Sequence, residues 1–171
     1  MKAVIFNCIR DLVRDKFGAD VYKEVAHKVG LDDKIYLNNV DIDEVNFKNI
    51  IDELSKTLKL SVNQIYDAFG DYWTNVFSQK YFKSYYKAYK NAKEFLMAMD
   101  KIHINVIKTY GGSTPPRFSF EDHGNKIVIN YTSKRNLIDL LVSLVKGTAK
   151  YYNDKITVNK IDSKKIEVEF K

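Results

Sequence analysis

Asn91-Ala92-Lys93-Glu94-Phe95-Leu96-Met97-Ala98-Met99-Asp100-Lys101-Ile102-His103-Ile104-Asn105-Val106-Ile107-Lys108-Thr109-Tyr110-Gly111-Gly112 decides how the chain is read. Ala92, Phe95, Leu96, Met99, His103, Val106, Ile107 and Tyr110 recur at helical spacing. They form one face of a helix of about twenty residues, which Gly111-Gly112 ends. Past the glycines the period drops to two. Phe118–Glu121 and Lys126–Tyr131 read as strands joined by the turn Asp122-His123-Gly124-Asn125. A helix over about 136–149 then points Leu137, Leu140, Leu141, Leu144 and Val145 toward a core. Lys155–Ile161 and Lys164–Phe170 close the chain as a hairpin around Asp162-Ser163.

Upstream the pattern is helical. Val4, Ile5, Cys8, Ile9, Leu12, Val13 and Phe17 share one face, and Gly18 stops it. A second helix over about 20–29 ends at Gly30. Asp41 or Asp43 caps a third, with Val45, Phe47, Ile50, Ile51, Leu54 and Leu58 on its apolar face. Ser61 opens a fourth with Ile65, Phe69, Trp73 and Phe77, and a short aromatic helix follows over about 81–89. Helices first, then a long helix, then strand–strand–helix–strand–strand, is an α+β arrangement. No internal repeat and no linker divides it.

Composition narrows the class. The 171 residues are 45% hydrophobic and 29% charged, with two prolines and seven glycines. Disordered, collagen-like and low-complexity chains are excluded. One cysteine, Cys8, excludes an internal disulfide framework and any Cys-rich zinc or iron–sulfur site. No stretch approaches the ~18 apolar residues of a membrane helix. The first residues lack the pattern of a signal peptide, because Asn7, Arg10 and Asp11 break the apolar run. A reducing, cytoplasmic setting is expected. The net charge of +6 is spread out, and arginine occurs only at 10, 14, 117 and 135. Most of it reads as solvated surface. The 12 tyrosines and 10 phenylalanines are the larger surplus.

Of three histidines, His123 falls in a turn and His27 in the last turn of a helix, where a cation meets the dipole favourably. His103 interrupts an apolar stripe, between Met99 and the pair Val106 and Ile107. Two readings stand. It is a core histidine bonded to a backbone carbonyl, or it is the single axial ligand of a haem iron. No second histidine or cysteine is placed to complete a four-ligand zinc site.

Tyr131-Thr132-Ser133-Lys134-Arg135 leaves the second strand toward the last helix. In extended chain Tyr131, Ser133 and Arg135 face one way and make a carboxylate clamp of two hydroxyls and a guanidinium. The plainer reading is a helix cap by Ser133 with solvated flanks. Gly111-Gly112-Ser113-Thr114-Pro115-Pro116-Arg117 holds both prolines, and adjacent prolines make a stiff extended segment.

These elements, in this order, resemble the H-NOX family, the haem nitric oxide/oxygen binding domains. The resemblance spans nearly the whole chain, from Met1-Lys2-Ala3-Val4-Ile5-Phe6-Asn7 onward. It implies haem b (Fe-protoporphyrin IX) as cofactor and His103 as the proximal ligand of its iron. It implies that Tyr131, Ser133 and Arg135 hold the propionates and that Pro116 presses on the porphyrin. It implies one domain over 1–171: a distal helical subdomain to about 65, and a proximal α+β subdomain with a four-stranded antiparallel sheet over about 66–171. Ile5, Ile9, Leu140, Leu144 and Met99 are the further residues expected around the haem. The cysteine-rich zinc site of some members is absent here, which leaves Cys8 as a packed thiol.

O2 binders of the family carry a distal tyrosine nine positions beyond the signature tyrosine. Here that position is Leu140. With Ile5 and Ile9 it implies an apolar distal face, and therefore NO and CO binding without a stable O2 complex. Tyr72, Trp73 or Thr74 is the remaining source of a donor, so an O2-binding sensor is the alternative. NO is expected to break the iron–His103 bond and let the subdomains shift. The output partner is expected to be a histidine kinase, a cyclic-di-nucleotide enzyme or a chemoreceptor, fused or separate. Nothing pairs a carboxylate with a histidine on the distal side, so no catalysis is expected. No membrane contact and no nucleic acid are expected either. Lys80-Tyr81-Phe82-Lys83-Ser84-Tyr85-Tyr86-Lys87-Ala88-Tyr89-Lys90 interleaves rings and lysines as single-strand binders do, but an amphipathic helix explains the spacing.

Overall fold

The computed structural model describes residues 1–111 and 114–171. Gly112 and Ser113, part of the glycine–proline segment, lie outside the described residues. In chain order the elements are α1 (Ala3–Phe17), α2 (Ala19–Lys28), α3 (Glu44–Leu58), α4 (Val62–Tyr72), a π-helical turn (Trp73–Phe77), α5 (Ser78–Tyr81), α6 (Lys83–Lys87), α7 (Ala92–Met97), α8 (Met99–Tyr110), β1 (Arg117–Asp122), β2 (Lys126–Thr132), α9 (Ile138–Tyr152), β3 (Ile156–Lys160) and β4 (Lys165–Phe170). The fold is α+β, as expected.

Local chemistry sets several of these bounds. Asp43 caps α3 by accepting from the Val45 N–H. Ser61 and Gln64 form a reciprocal capping box at the start of α4. Gly18 takes φ +101° between α1 and α2, a conformation other residues rarely adopt.

The single helix expected over the His103 stretch is two helices. Ala98 has φ −87° and ψ −5°, and its N–H is shared between the carbonyls of Glu94 and Phe95. That tightens one turn, and the α pattern resumes with Ile102 bonded to Ala98. The expected fourth helix also changes character at Trp73, where the π-helical turn begins.

The sheet is antiparallel, in the order β1-β2-β4-β3. Phe118 pairs with Tyr131, Ile129 with Ile166 and Ile127 with Val168. α9 lies on this sheet through Ile138, Leu141 and Val145, which share a core with Ile127, Ile129, Ile166 and Val168. Each such buried aliphatic side chain stabilises the fold by ~1.5–3 kcal/mol. One residue back, Leu140 and Leu144 turn into the helical core of Phe6, Ile9, Leu54, Phe69 and Phe77. α9 therefore joins two cores with two adjacent faces. It meets α4 where two glycines lie. A Cβ on Gly70 would stand 2.3 Å from the Ser143 carbonyl oxygen, and one on Gly147 2.3 Å from that of Gly70. A third, smaller core gathers Tyr86, Phe95 and Ile102 with Met99, Tyr151 and Tyr152.

Candidate functional site

α8 positions His103 one turn after Met99. The His103 Nδ1 lies 2.8 Å from the Met99 carbonyl oxygen. A carbonyl only accepts, so Nδ1 carries the proton and Nε2 holds the lone pair of the neutral ring. Burial keeps the imidazole below its ordinary pKa, with the Met99 bond and the Asp100 charge acting the other way. A neutral imidazole with a fixed Nδ1–H and a free Nε2 is the donor that a haem iron takes. The ring thus bonds a backbone carbonyl, as the first reading expects, and that bond leaves Nε2 able to act as a ligand nitrogen.

The ring is set from two sides. Phe118 of β1 lies against it, with centroids 5.3 Å apart, and Tyr131 of β2 lies 5.7 Å beyond Phe118. Asp100, one turn before His103, accepts from Arg117 Nε and a second guanidinium nitrogen, each at 2.8 Å, and from the Phe118 N–H at 2.9 Å. This clamp fixes the first turn of α8 to the start of β1. Arg117 holds the Asp100 carboxyl down to about 2, helped by the Phe118 N–H. Pro116 is half-buried directly before β1.

The clamp expected at 131, 133 and 135 is built differently from the sequence reading. β2 ends at Thr132, so period-two alternation stops before Ser133. Tyr131 is buried, and its hydroxyl oxygen accepts from the Leu137 N–H at 3.4 Å. Ser133 accepts from the Arg135 N–H at 3.2 Å, five residues before α9 begins, so it closes a turn and does not cap the helix. Arg135 Nε donates to Glu44 at 2.6 Å, and its guanidinium also reaches the Thr114 carbonyl at 3.3 Å. Glu44 is the first residue of α3, so a carboxylate from the helical half already sits on Arg135.

Ile9 and Leu140 are buried in one core, with Ile5 and Leu144 packed against it. Met99 belongs instead to the aromatic core beside α8. Of the possible polar donors near this wall, the Tyr72 hydroxyl is bonded to Asp15. Thr74 Oγ1 is buried without a partner among the described residues and faces Gly147, where an added Cβ would stand 2.9 Å from it. Trp73 stacks between Phe69 and Phe77, at 5.9 and 5.7 Å.

A cavity of about 140 Å³ opens beside α8, lined by Val4, Tyr81, Phe82, Val106, Ile107 and Lys2. Its lining is mostly apolar, and it includes none of the residues the sequence expects around the haem. The free Nε2, the apolar walls and a guanidinium already holding a carboxylate fit haem and its propionates. Neither Asp100 nor Glu44 is legible as a site residue in the sequence. The one available signal is an acid in the first turn of a helix, which the helix dipole explains equally well.

The comparisons with known proteins agree. A profile described as haem-NO-binding matches residues 2–160. An oxygen-binding H-NOX domain related to soluble guanylate cyclases, in its oxygen complex, is 28% identical, with a TM-score of 0.86 over 100% of this chain and 95% of its own. A Cs H-NOX variant carrying 4-cyano-L-phenylalanine is 29% identical, with a TM-score of 0.86 over 100% and 97%. An isoleucine-to-phenylalanine variant of the T. tengcongensis H-NOX domain is 30% identical, with a TM-score of 0.85 over 100% and 98%. H-NOX domains bind haem and are sensor domains. With the family profile covering nearly all of its length, the chain belongs to the haem-NO-binding family.

Proposed function

We propose that this chain is a cytoplasmic haem-based sensor of nitric oxide, also binding CO, with no catalysis of its own. The observation that carries the proposal is His103: its Nδ1 is committed to Met99 and its Nε2 is free. His103 holds the iron, Tyr131, Ser133 and Arg135 hold the propionates, and Pro116 bears on the porphyrin. The helical part to about residue 65 covers the distal side, and the remainder forms the proximal side. Haem, when bound, supplies an iron site for a diatomic gas.

The residues of the chain supply the rest. Leu140, with Ile5, Ile9 and Leu144, gives the gas an apolar wall. Bound O2 carries negative charge and gains from a donor, whereas NO and CO need one less. Tyr72 is occupied by Asp15, which removes one donor from consideration. His103 would hold the iron from α8, and loss of that hold on NO binding would be the signal. α8 would then lose one of its holds, while the Asp100–Arg117 clamp and the packing of Ile102 in the aromatic core remain. The two halves repack, and a separate or fused partner reads the change. A histidine kinase, a cyclic-di-nucleotide enzyme or a chemoreceptor suits that output. Among the described residues no helix is long and apolar enough to cross a membrane.

An O2-binding sensor is the second reading, favoured by the likeness to the oxygen-binding domain. One absorption experiment separates them. The ferrous protein is exposed in turn to NO, CO and air. A five-coordinate nitrosyl spectrum and no lasting oxy spectrum are expected. A long-lived oxy form sinks the Leu140 argument. His103→Gly is expected to take up haem only weakly until imidazole is added; a native ferrous spectrum without imidazole refutes His103 as the ligand.

A further inference from the structure

Lysines that no carboxylate answers gather on the elements around His103. From residue 83 to 108 the chain carries six lysines and two carboxylates. Lys93 is paired with Asp122 at 2.7 Å. Glu94 is turned onto the Lys90 backbone N–H, and Asp100 is taken by Arg117. Lys83, Lys87, Lys90, Lys101 and Lys108 are exposed and have no ion-pair partner among the described residues. Elsewhere lysines are commonly answered. Lys2, Lys28, Lys34, Lys146, Lys150 and Lys160 each meet a carboxylate at 2.6–3.2 Å.

The five share a setting. α6, α7 and α8 bury their apolar sides in one aromatic core, so their lysines occupy the outward faces. The other exposed positions on α8 and in and after α6 include Ser84, Ala88, Asn105 and Thr109. We infer that this outward face docks an acidic protein surface. Unpaired lysines on flexible stems steer a transient, salt-sensitive encounter, which suits a signalling contact. The rings between them serve another purpose: Tyr86 stacks on Phe95 at 4.5 Å and Tyr89 meets Phe95 edge-on at 5.8 Å. They are therefore packed as core and offer no stacking platform for bases. A membrane surface would need several apolar anchors beside the lysines, and among the described residues Met97 is the single large apolar side chain that α6, α7 and α8 expose. Because α8 carries both His103 and two of these lysines, a movement of α8 would alter the docking face; this last step rests on the sensing role proposed above.

The test uses the full chain with its cofactor and a labelled decaglutamate peptide as the acidic probe. Binding is measured at low and high salt beside decathymidylate and phosphatidylserine vesicles. Joint reversal of Lys83→Glu, Lys87→Glu, Lys101→Glu and Lys108→Glu is expected to weaken decaglutamate binding by at least about tenfold. Reversal of the equally unpaired Lys16→Glu, Lys23→Glu, Lys48→Glu and Lys59→Glu is expected to change it little. Glutamine versions at the first four positions give the same ordering if the reversed protein fails to fold. Equal loss in both sets overturns the surface, as does tighter binding of decathymidylate or vesicles than of decaglutamate. Decaglutamate binding that is identical with and without NO still supports the surface and counts against the sensing cycle instead.

Discussion

Arg135, in the turn between β2 and α9, donates to Glu44 at the first position of α3, 91 residues earlier, at 2.6 Å. The guanidinium is mostly covered and Glu44 is half-exposed. Glu44 and a propionate are chemically equivalent partners for Arg135, so a propionate held there, as proposed, would compete with Glu44. Arg135→Gln is expected to speed haem loss to an acceptor protein roughly tenfold or more, the scale of a charge-assisted hydrogen bond. Glu44→Gln is expected to slow it or leave it unchanged. If both variants lose haem equally fast, Glu44 is part of the clamp and not its competitor.

Asp100 ties α8 to β1 through Arg117 and the Phe118 N–H. Arg117 is exposed, so solvent screens the pair and its loss is expected to change the global stability little. The local effect is larger than the global one. Arg117→Gln is expected to raise the Asp100 pKa from about 2 toward its ordinary 3.8, followed by carboxyl NMR shifts. In the haem-loaded protein Asp100→Ala is expected to shift the iron–histidine stretch, because the turn that carries His103 is no longer pinned. An unchanged stretch removes Asp100 from the site.

The α4–α9 crossing has no space for a methyl group. Gly70→Ala places a carbon 2.3 Å from the Ser143 carbonyl oxygen, which belongs to backbone and cannot rotate away. A destabilisation of about 1–3 kcal/mol is expected, read as a lower thermal midpoint by circular dichroism. A midpoint equal to that of the parent protein would show that α4 slides along α9 freely.

Tyr22 is buried, and burial pushes its hydroxyl up to about 12 from an ordinary 10.0. The unfolded chain therefore ionises first as the pH rises. The contribution of Tyr22 is complete below pH 10 and is lost between there and about 12, up to ~3 kcal/mol at 1.36 kcal/mol per unit. Denaturant unfolding of Tyr22→Phe across that range is expected to show a shallower fall in stability than the parent. Parallel curves would exclude Tyr22 as a source of the alkaline loss.

What could be read from the sequence was local. The caps at Asp43 and Ser61 depend on residues two and three positions away, and both form as the spacing predicts. The strands and their two hairpins are equally local. The break at Ala98 was hidden because the apolar period runs straight through it, and only a shared backbone bond interrupts the helix. The reading of Tyr131, Ser133 and Arg135 as one extended face carried strand geometry three residues past the end of β2. There the chain turns instead, with Asn136 at φ +48°. His103 was legible as a polar residue in an apolar stripe. Its supports, Asp100–Arg117 and Phe118, join parts of the chain that no periodicity links.

The break at Ala98 also bears on how α8 holds together. It leaves α8 as a twelve-residue helix with no side-chain cap at its N-terminus. Isolated helices of that length are marginal in water, so α8 borrows its order from what it packs against. In hydrogen exchange it should open as its own cooperative unit, well before α9, which is clamped between two cores. The element that carries His103 is then among the softest of the longer helices, and a small change in what holds His103 is enough to change how often it opens.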